Sequence, residues 1–454
     1  MPGTSPFPNL LSEFVYTRTY SRWVDEWKRR ETWIESVGRY VNYIFQDKNV
    51  PKELPAQAEE AILDMGVLPS MRSLWCAGPT MERDNVCSYN CSFLPIDNLR
   101  AFSETLFILM QGTGCGFSVE RQFVDNLPVV AAPTGDVIDF IVPDNTEGWA
   151  EAVYFGMVQY HLGHGVNFIY SLIRPKGARL KTKGGRASGP EPLKRVLDFA
   201  REVVAGAVGR RLKPIEAHDI LCMIAEIVMV GGFRRSSLIS FSDPDDQGMR
   251  HAKDWAEGKT FPAIRYMANN SAVHLEKPTR ELFDREWGAL VASGSGERGF
   301  YRISPEKVLQ RGGHFRSNPC GEILLRYKPA NDPWTGEGGG GSFCNPPAAA
   351  MRPAPTLHTL AAPARLATSL GALPASHTYS PSLRPAWREL CEEDRLLGVD
   401  ITGQCDNPSL SQNEEVMTYL NAVARSTAIL AADQLGINRP AAITCGKPSG
   451  NSSQ

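Results

Sequence analysis

Helical patterns alternate with short apolar runs along most of this chain. That alternation restricts the fold to an α/β layer or an α/β barrel. Residues 101–110 carry apolar side chains at helical spacing. Leu193, Val196, Leu197, Ala200 and Val204 fall on one helix face. Residues 145–160 predict a helix with Thr146 and Glu147 as start signals. Residues 221–230 are apolar throughout, which predicts a buried element, and residues 414–435 predict a further helix. The short runs at 91–94, 139–143 and 237–241 read as strands between them. Residues 17–43 and 59–65 read as helical. Residues 111–116 read as a glycine loop and 176–190 as a basic, glycine-rich loop. The four glycines at 338–341 make 331–342 a loop, and 346–385 is so rich in Pro and Ala that no regular element is expected there.

Charge and cysteine usage narrow the function. The formal net charge of 454 residues is −2, which gives no general attraction to nucleic acid or to an acidic membrane. Any phosphate must be held by a local site. No stretch approaches the roughly 20 apolar residues of a membrane span. The first residues lack the basic and apolar regions of an export signal, so the ten cysteines are expected as free thiols in a reducing, cytoplasmic compartment. Cys87 and Cys91 are spaced like half of a zinc site. No second Cys/His pair at matching spacing follows, so no metal site is expected. Cys222 falls in an apolar helix and reads as core.

One pentapeptide concentrates chemistry. Asn318-Pro319-Cys320-Gly321-Glu322 sets an amide, a thiol and a carboxylate at alternate positions. In an extended loop these three side chains project to one side. Together they offer hydrogen bonding, a thiol and a general base suited to a polyol such as ribose. Taken alone, the same residues fit equally well a turn with a buried cysteine and a surface glutamate.

The pentapeptide resembles the radical-cysteine loop of adenosylcobalamin-dependent ribonucleotide reductases, and further segments are similar in the same order. They are Thr17 to Trp23, Tyr89-Asn90-Cys91-Ser92-Phe93, Gly112 to Ser118, Pro143 to Trp149, Arg174-Pro175-Lys176-Gly177 with Gly184 to Pro190, Arg234-Arg235-Ser236, and Lys447-Pro448-Ser449-Gly450. The resemblance implies a ten-stranded α/β barrel with a central finger loop, here truncated before completion. A helical region at 1–85 would precede a partial barrel at 86–454. Within that barrel, 134–190 would form an effector and dimer region, and 331–385 an irregular segment rich first in Gly and then in Pro and Ala.

The resemblance also implies roles. Cys320 would become a transient thiyl radical that removes the ribose 3′ hydrogen. Glu322 would take the 3′-hydroxyl proton, and Asn318 would hydrogen-bond the sugar. Cys91 and Cys344 would supply two reducing equivalents and end as a disulfide, which a thioredoxin-like reductant would reset. Ser92, Gly116 and the loop Pro448, Ser449, Gly450 would bind the substrate, a ribonucleoside triphosphate in preference to a diphosphate. Asp144, Arg174 and Lys176 would contact a deoxynucleotide effector, although Arg174, Lys176, Arg179 and Lys181 fit a solvated basic loop equally well. Adenosylcobalamin is the implied cofactor. A homodimer through residues 146–162 is expected, because the interval from Ser92 to Pro143 is short.

The chain departs from the family in three places. Cys115 stands where no thiol is expected and reads as a small loop residue. Cys344-Asn345-Pro346-Pro347 replaces a Cys-Asn-Leu run, and proline interrupts strand pairing. The chain ends at Gln454 within the phosphate-loop motif, so it is expected to need its own C-terminal half. The rival expectations are an inactive fragment and a reductase served by a separate metal-radical subunit.

Overall fold

The computed structural model describes residues 7–180, 186–230, 237–255, 261–303, 310–351 and 356–447. The N-terminal stretch is helical because its helices have start signals and apolar faces. Trp33–Ile44 begins with a capping box: the Thr32 hydroxyl accepts from the Glu35 N–H, and the Glu35 carboxylate accepts from the Thr32 N–H. The helix buries Val37, Tyr40, Val41 and Ile44. A two-residue pairing of β1 (Trp23–Val24) with β2 (Arg29–Arg30) interrupts the helix expected over 17–43. β3 (Val67–Leu68) follows the helix Leu54–Leu63. The core of this region is shared with Ala349, Leu370, Leu397, Val399, Ala424 and Ile443 from late in the sequence.

The main sheet begins with β4 (Cys91–Pro95) and β5 (Gly114–Ser118), which are parallel and joined through the buried helix Arg100–Gln111. A separate parallel pair, β6 (Val137–Ile141) and β7 (Gly165–Ile169), brackets the helix Thr146–His161. The sheet continues with β8 (Leu238–Ser242), β9 (Ala268–His274) and β10 (Gly299–Arg302), all parallel. β11 (His314–Ser317) and β12 (Leu324–Tyr327) form an antiparallel hairpin. β13 (Ser342–Cys344) returns antiparallel to β4. The order is β10-β9-β8-β5-β4-β13. β14 (Ala348–Ala350) pairs with β3 and with β15 (Asp400–Thr402) in a second, mixed sheet. The architecture is α/β. Among the described residues the main sheet has six strands rather than ten.

Strand alternation gives the main sheet two different faces. Leu94, Cys115, Phe117 and Leu238 point into a core shared with the helices Arg100–Gln111, Thr146–His161, Glu191–Ala205 and Pro214–Val230. Leu193, Val196, Leu197, Ala200 and Val204 are the buried face of the third of these helices, as their spacing predicts. Cys91, Phe93, Ile239 and Phe241 point the other way and pack with Ile323, Leu325 and Tyr327 of the hairpin. The Phe93 ring lies 5.3 Å from Tyr327 and 6.0 Å from Phe241.

Two sequence expectations are corrected. Residues 114–116 are strand rather than loop, because the glycines serve the close approach of another backbone. A Cβ on Gly116 would collide with the Ser317 carbonyl oxygen and lie 3.2 Å from the Phe93 ring. A Cβ on Gly114 would lie 3.3 Å from the Pro319 ring. Residues 346–385 are not irregular: they include β14 and the helix Leu357–Ala375, with Pro363 and Pro374 inside it. This helix buries Leu360, Ala364, Ala367, Leu370 and Leu373, and packs on the helix Glu414–Leu435. Tertiary burial thus overrides low helix propensity. The pair Pro346-Pro347 falls between β13 and β14, where no ladder bond is interrupted.

The seating of the hairpin on a glycine strand makes a direct prediction. Gly116→Ala should lower stability by about 1–3 kcal/mol through overpacking, measured as a fall in the urea midpoint. An unchanged midpoint would show that the hairpin does not press on β5.

Candidate active site

Local hydrogen bonds build the turn between β11 and β12. The Gly321 N–H donates to the Asn318 carbonyl at 2.9 Å, and Gly321 takes φ +82°, a backbone state that glycine adopts at no steric cost. The Asn318 side chain is fully buried and doubly used. Its Oδ1 accepts from the Ile323 N–H at 3.1 Å, and its Nδ2 donates to Glu322 Oε2 at 2.8 Å. The pentapeptide is therefore a tight turn, not the extended loop expected. Asn318 and Glu322 meet because the turn folds back, not because alternate side chains share a side. The turn is pinned from behind by Arg316. Its guanidinium makes a buried bidentate pair with Glu120, just past β5, at 2.6 and 2.8 Å.

Three thiols converge at this turn. Cys91 and Cys344 stand directly opposite each other on β4 and β13. Opposed residues of an antiparallel ladder have Cα atoms about 4.5–5.5 Å apart, inside the range a disulfide needs. The Cys91 thiol also meets that of Cys320. Cys91 and Cys344 are buried, whereas Cys320 at the tip is exposed. The Cys91 thiol is pushed up to about 12: contact with Cys320 acts downward, and contact with Cys344 and burial act upward more strongly together. Cys320 is raised by its contact with Cys91, by burial and by the charge of Glu322. These are protonated thiols at neutral pH, the form that a hydrogen-atom donor requires.

Lys447 stands beside this group. Lys447 Nζ lies 3.7 Å from Glu322 Oε1. That oxygen is buried and has no hydrogen-bond partner among the described residues. The segment carrying Lys447 lies along residues 397–399 through hydrogen bonds from Leu397 N to Ala442 O, Val399 N to Ile443 O and Cys445 N to Val399 O.

Comparisons with known proteins find ribonucleotide reductases. Residues 2–79 match the family model described as the ribonucleotide reductase alpha domain. Over 289 residues the chain is 30% identical to an adenosylcobalamin-dependent ribonucleoside-triphosphate reductase of Euglena gracilis, covering 58% of this chain and 39% of that protein. It is 27% identical over 414 residues to the protein of the same name from Lactobacillus leichmannii, covering 72% of this chain and 54% of that one. A crystal structure of a B12-dependent (class II) ribonucleotide reductase superposes with a TM-score of 0.76 at 22% identity, covering 98% of this chain and 73% of that chain. The chain is similar in sequence to these reductases and shares the fold of the class II enzyme. It spans about half the length, or less, of these curated relatives.

The residues expected at the site do not all come together. Asn318, Cys320, Glu322, Cys91 and Cys344 are brought together. Gly116 lies beneath the hairpin and makes room for it. The Ser92 hydroxyl is not brought to the cluster: it is fully buried and donates to the Gly114 carbonyl at 3.0 Å. Cys115 contacts Ser92 and Thr105, its thiol pushed up to about 12 chiefly by burial, so it is a core side chain and not a loop residue. Asp144 and Arg174 do meet, as an ion pair with Nε–Oδ2 2.7 Å. They line a cavity of about 270 Å³ together with Gln111, Asn145, Thr146 and Ser188. Lys176 is exposed nearby. Pro448, Ser449, Gly450, Lys181 and Arg234-Arg235-Ser236 lie outside the described residues. No group of His, Cys, Asp and Glu suited to a metal ion occurs among the described residues. Sequence reasoning left Lys447 and Asp400 without a role. Lys447 opens a motif already singled out, which was a usable signal; Asp400 had none.

Mild oxidation should join Cys91 to Cys344 within one chain. The check is a peptide map without reduction. Free Cys91 and Cys344 after oxidation of other exposed thiols would contradict the pairing.

Proposed function

We propose that this chain carries the reaction site of a ribonucleoside-triphosphate reductase, which converts ribonucleotides to 2′-deoxyribonucleotides. The observation that supports this most is the convergence of Cys320, Cys91 and Cys344 on the Asn318–Glu322 pair. The five parallel strands with β13 antiparallel to them are one part of a ten-stranded barrel, with the β11–β12 hairpin as its finger loop. Residues 1–85 are the helical region before the barrel, and 134–190 its effector and dimer region. Residues 331–385, for all their Gly, Pro and Ala, build part of the barrel wall.

The division of labour follows from chemistry and burial. Cys320, the exposed thiol, exchanges a hydrogen atom with C3′ of the sugar. Glu322, with one carboxylate oxygen free of hydrogen bonds among the described residues, takes the 3′-hydroxyl proton. Asn318 holds Glu322 and hydrogen-bonds the sugar hydroxyls. Cys91 and Cys344 are buried beside Cys320 and give up two electrons and two protons as the 2′-hydroxyl leaves as water. They end as a disulfide, which a thioredoxin-like dithiol reduces. Adenosylcobalamin fits this arrangement at one point: a Cβ on Gly321 would meet nothing within 4 Å, so the turn tip around Cys320 is open to a bulky group. When bound, the cofactor supplies the one-electron chemistry that converts the Cys320 thiol to its radical. Pro319, Cys320 and Gly321 are the residues it would lie against.

Substrate phosphate is assigned to Pro448, Ser449 and Gly450, and the substrate contacts also to Gly116 and the backbone at Ser92. The cavity walled by Asp144 and Arg174, with Lys176 at its edge, is assigned to a deoxynucleotide effector. A homodimer would use the face of the helix Thr146–His161 left over by its buried side, Trp149, Ala152, Val153, Met157 and Tyr160.

The test is formation of deoxynucleotide from ribonucleoside triphosphate with adenosylcobalamin and a dithiol, using the wild-type protein. Cys320→Ser should reduce the rate by about three orders of magnitude or more. Cys91→Ser and Cys344→Ser should block repeated turnover with dithiol. Turnover that persists in Cys320→Ser, or no product from the wild-type protein, would refute the proposal.

A further inference from the structure

Lys447 sits where four potential anions meet. Its ammonium is 3.7 Å from Glu322 Oε1, the oxygen without a hydrogen-bond partner among the described residues. It also lies within electrostatic reach of Cys91 on β4, Cys344 on β13 and Cys320 on the turn. Behind it, the buried Asp400 carboxylate at the start of β15 accepts a hydrogen bond from the Lys447 backbone N–H. Cys445, on the same segment, turns away to donate to the Gly398 carbonyl at 3.4 Å. Lys447 is thus fixed from one side and presents its charge to the other.

We propose that Lys447 is a positioning residue whose ammonium serves as the shared counter-charge for Glu322 and for whichever of the three thiols becomes anionic. On the reductase reading, on which this role rests, the demand is greatest when the Cys91–Cys344 disulfide is reset. A thiolate of the external dithiol attacks one sulfur, the S–S bond breaks, and the electron pair leaves on the other cysteine. The second external thiolate then attacks the mixed disulfide and releases the remaining cysteine as thiolate. The dithiol is oxidised, the pair is reduced, and each leaving thiolate takes a proton. Cys91 and Cys344 are buried in an apolar cluster with Phe93, Ile323 and Leu396, where an unpaired thiolate is costly. Burial alone would weaken the lysine's charge. Cys91, Cys344, Glu322 and Cys320, when they carry charge, together outweigh it and hold Lys447 above its ordinary value. In turn, Lys447 acts downward on Cys91 and Cys320.

Thiol reactivity reads this without turnover. Alkylation of Cys320 by iodoacetamide is followed across neutral to alkaline pH by peptide mass spectrometry, with the other exposed thiol, Cys405, as internal reference. Lys447→Met should displace the Cys320 profile to higher pH, lowering its rate at a given alkaline pH about 3- to 10-fold. Lys447→Arg should stay within about twofold of wild type, because it keeps the charge. Cys405 should not change in either variant. An unshifted Cys320 profile in Lys447→Met overturns the proposal, and so does an equal shift in Lys447→Arg. If Lys447→Met loses its far-UV signal, Lys447→Gln takes its place in the same comparison. Because no deoxynucleotide is measured, this result can stand if the reductase reading falls, and can fail if it holds.

Discussion

The site depends on one steric permission: the Ser317 carbonyl can rest on β5 because residue 116 has no side chain. Everything at the turn inherits its position from that contact. With the hairpin seated there, Ile323, Leu325 and Tyr327 close over Phe93 and Phe241, and the turn falls beside Cys91. The contact needs help to be specific, since glycine permits an approach without demanding it. The bidentate Arg316–Glu120 pair supplies the demand, because a buried charge that lost its partner would be strongly penalised.

The second organising feature is how the sheet divides its cysteines. Strand alternation sends Cys115 into the helix-covered core and Cys91 to the hairpin face, although the two residues sit on adjacent strands. Pairing with β13 then brings in Cys344, and the turn brings in Cys320. Burial and mutual contact keep Cys91 and Cys320 protonated at rest. A cation at the edge of the group is positioned for the moments when charge appears. The apolar setting and the nearby ammonium are therefore complementary: one protects neutral thiols, and the other tolerates transient anions.

Much of this was legible in the sequence, for identifiable reasons. The helix Glu414–Leu435 and the buried face of Glu191–Ala205 follow from periodicity, which local sequence records directly. The pentapeptide and its collinear neighbours marked Cys320, Asn318, Glu322, Cys91 and Cys344. What the sequence hid was tertiary. Glycines at 114 and 116 look like loop residues until a second backbone is seen against them. The helix Leu357–Ala375 contains two prolines and forms because its Ala and Leu side chains are buried against another helix. Ser92 belongs to a matching motif, yet the pleat turns its hydroxyl away from the thiols. Asp400 is far from Glu322 in sequence and nothing local marks it, and Lys447, though it opens a recognisable motif, carries no local sign that it meets Glu322.

The hairpin turn delivers the Cys320 sulfur to Cys91. The most direct measurement removes the competing partner: oxidise the Cys344→Ser variant and map its disulfides. A Cys91–Cys320 bond within one chain is the predicted product. Cys320 left free, or bonded instead to Cys405 or to a second chain, would contradict the account.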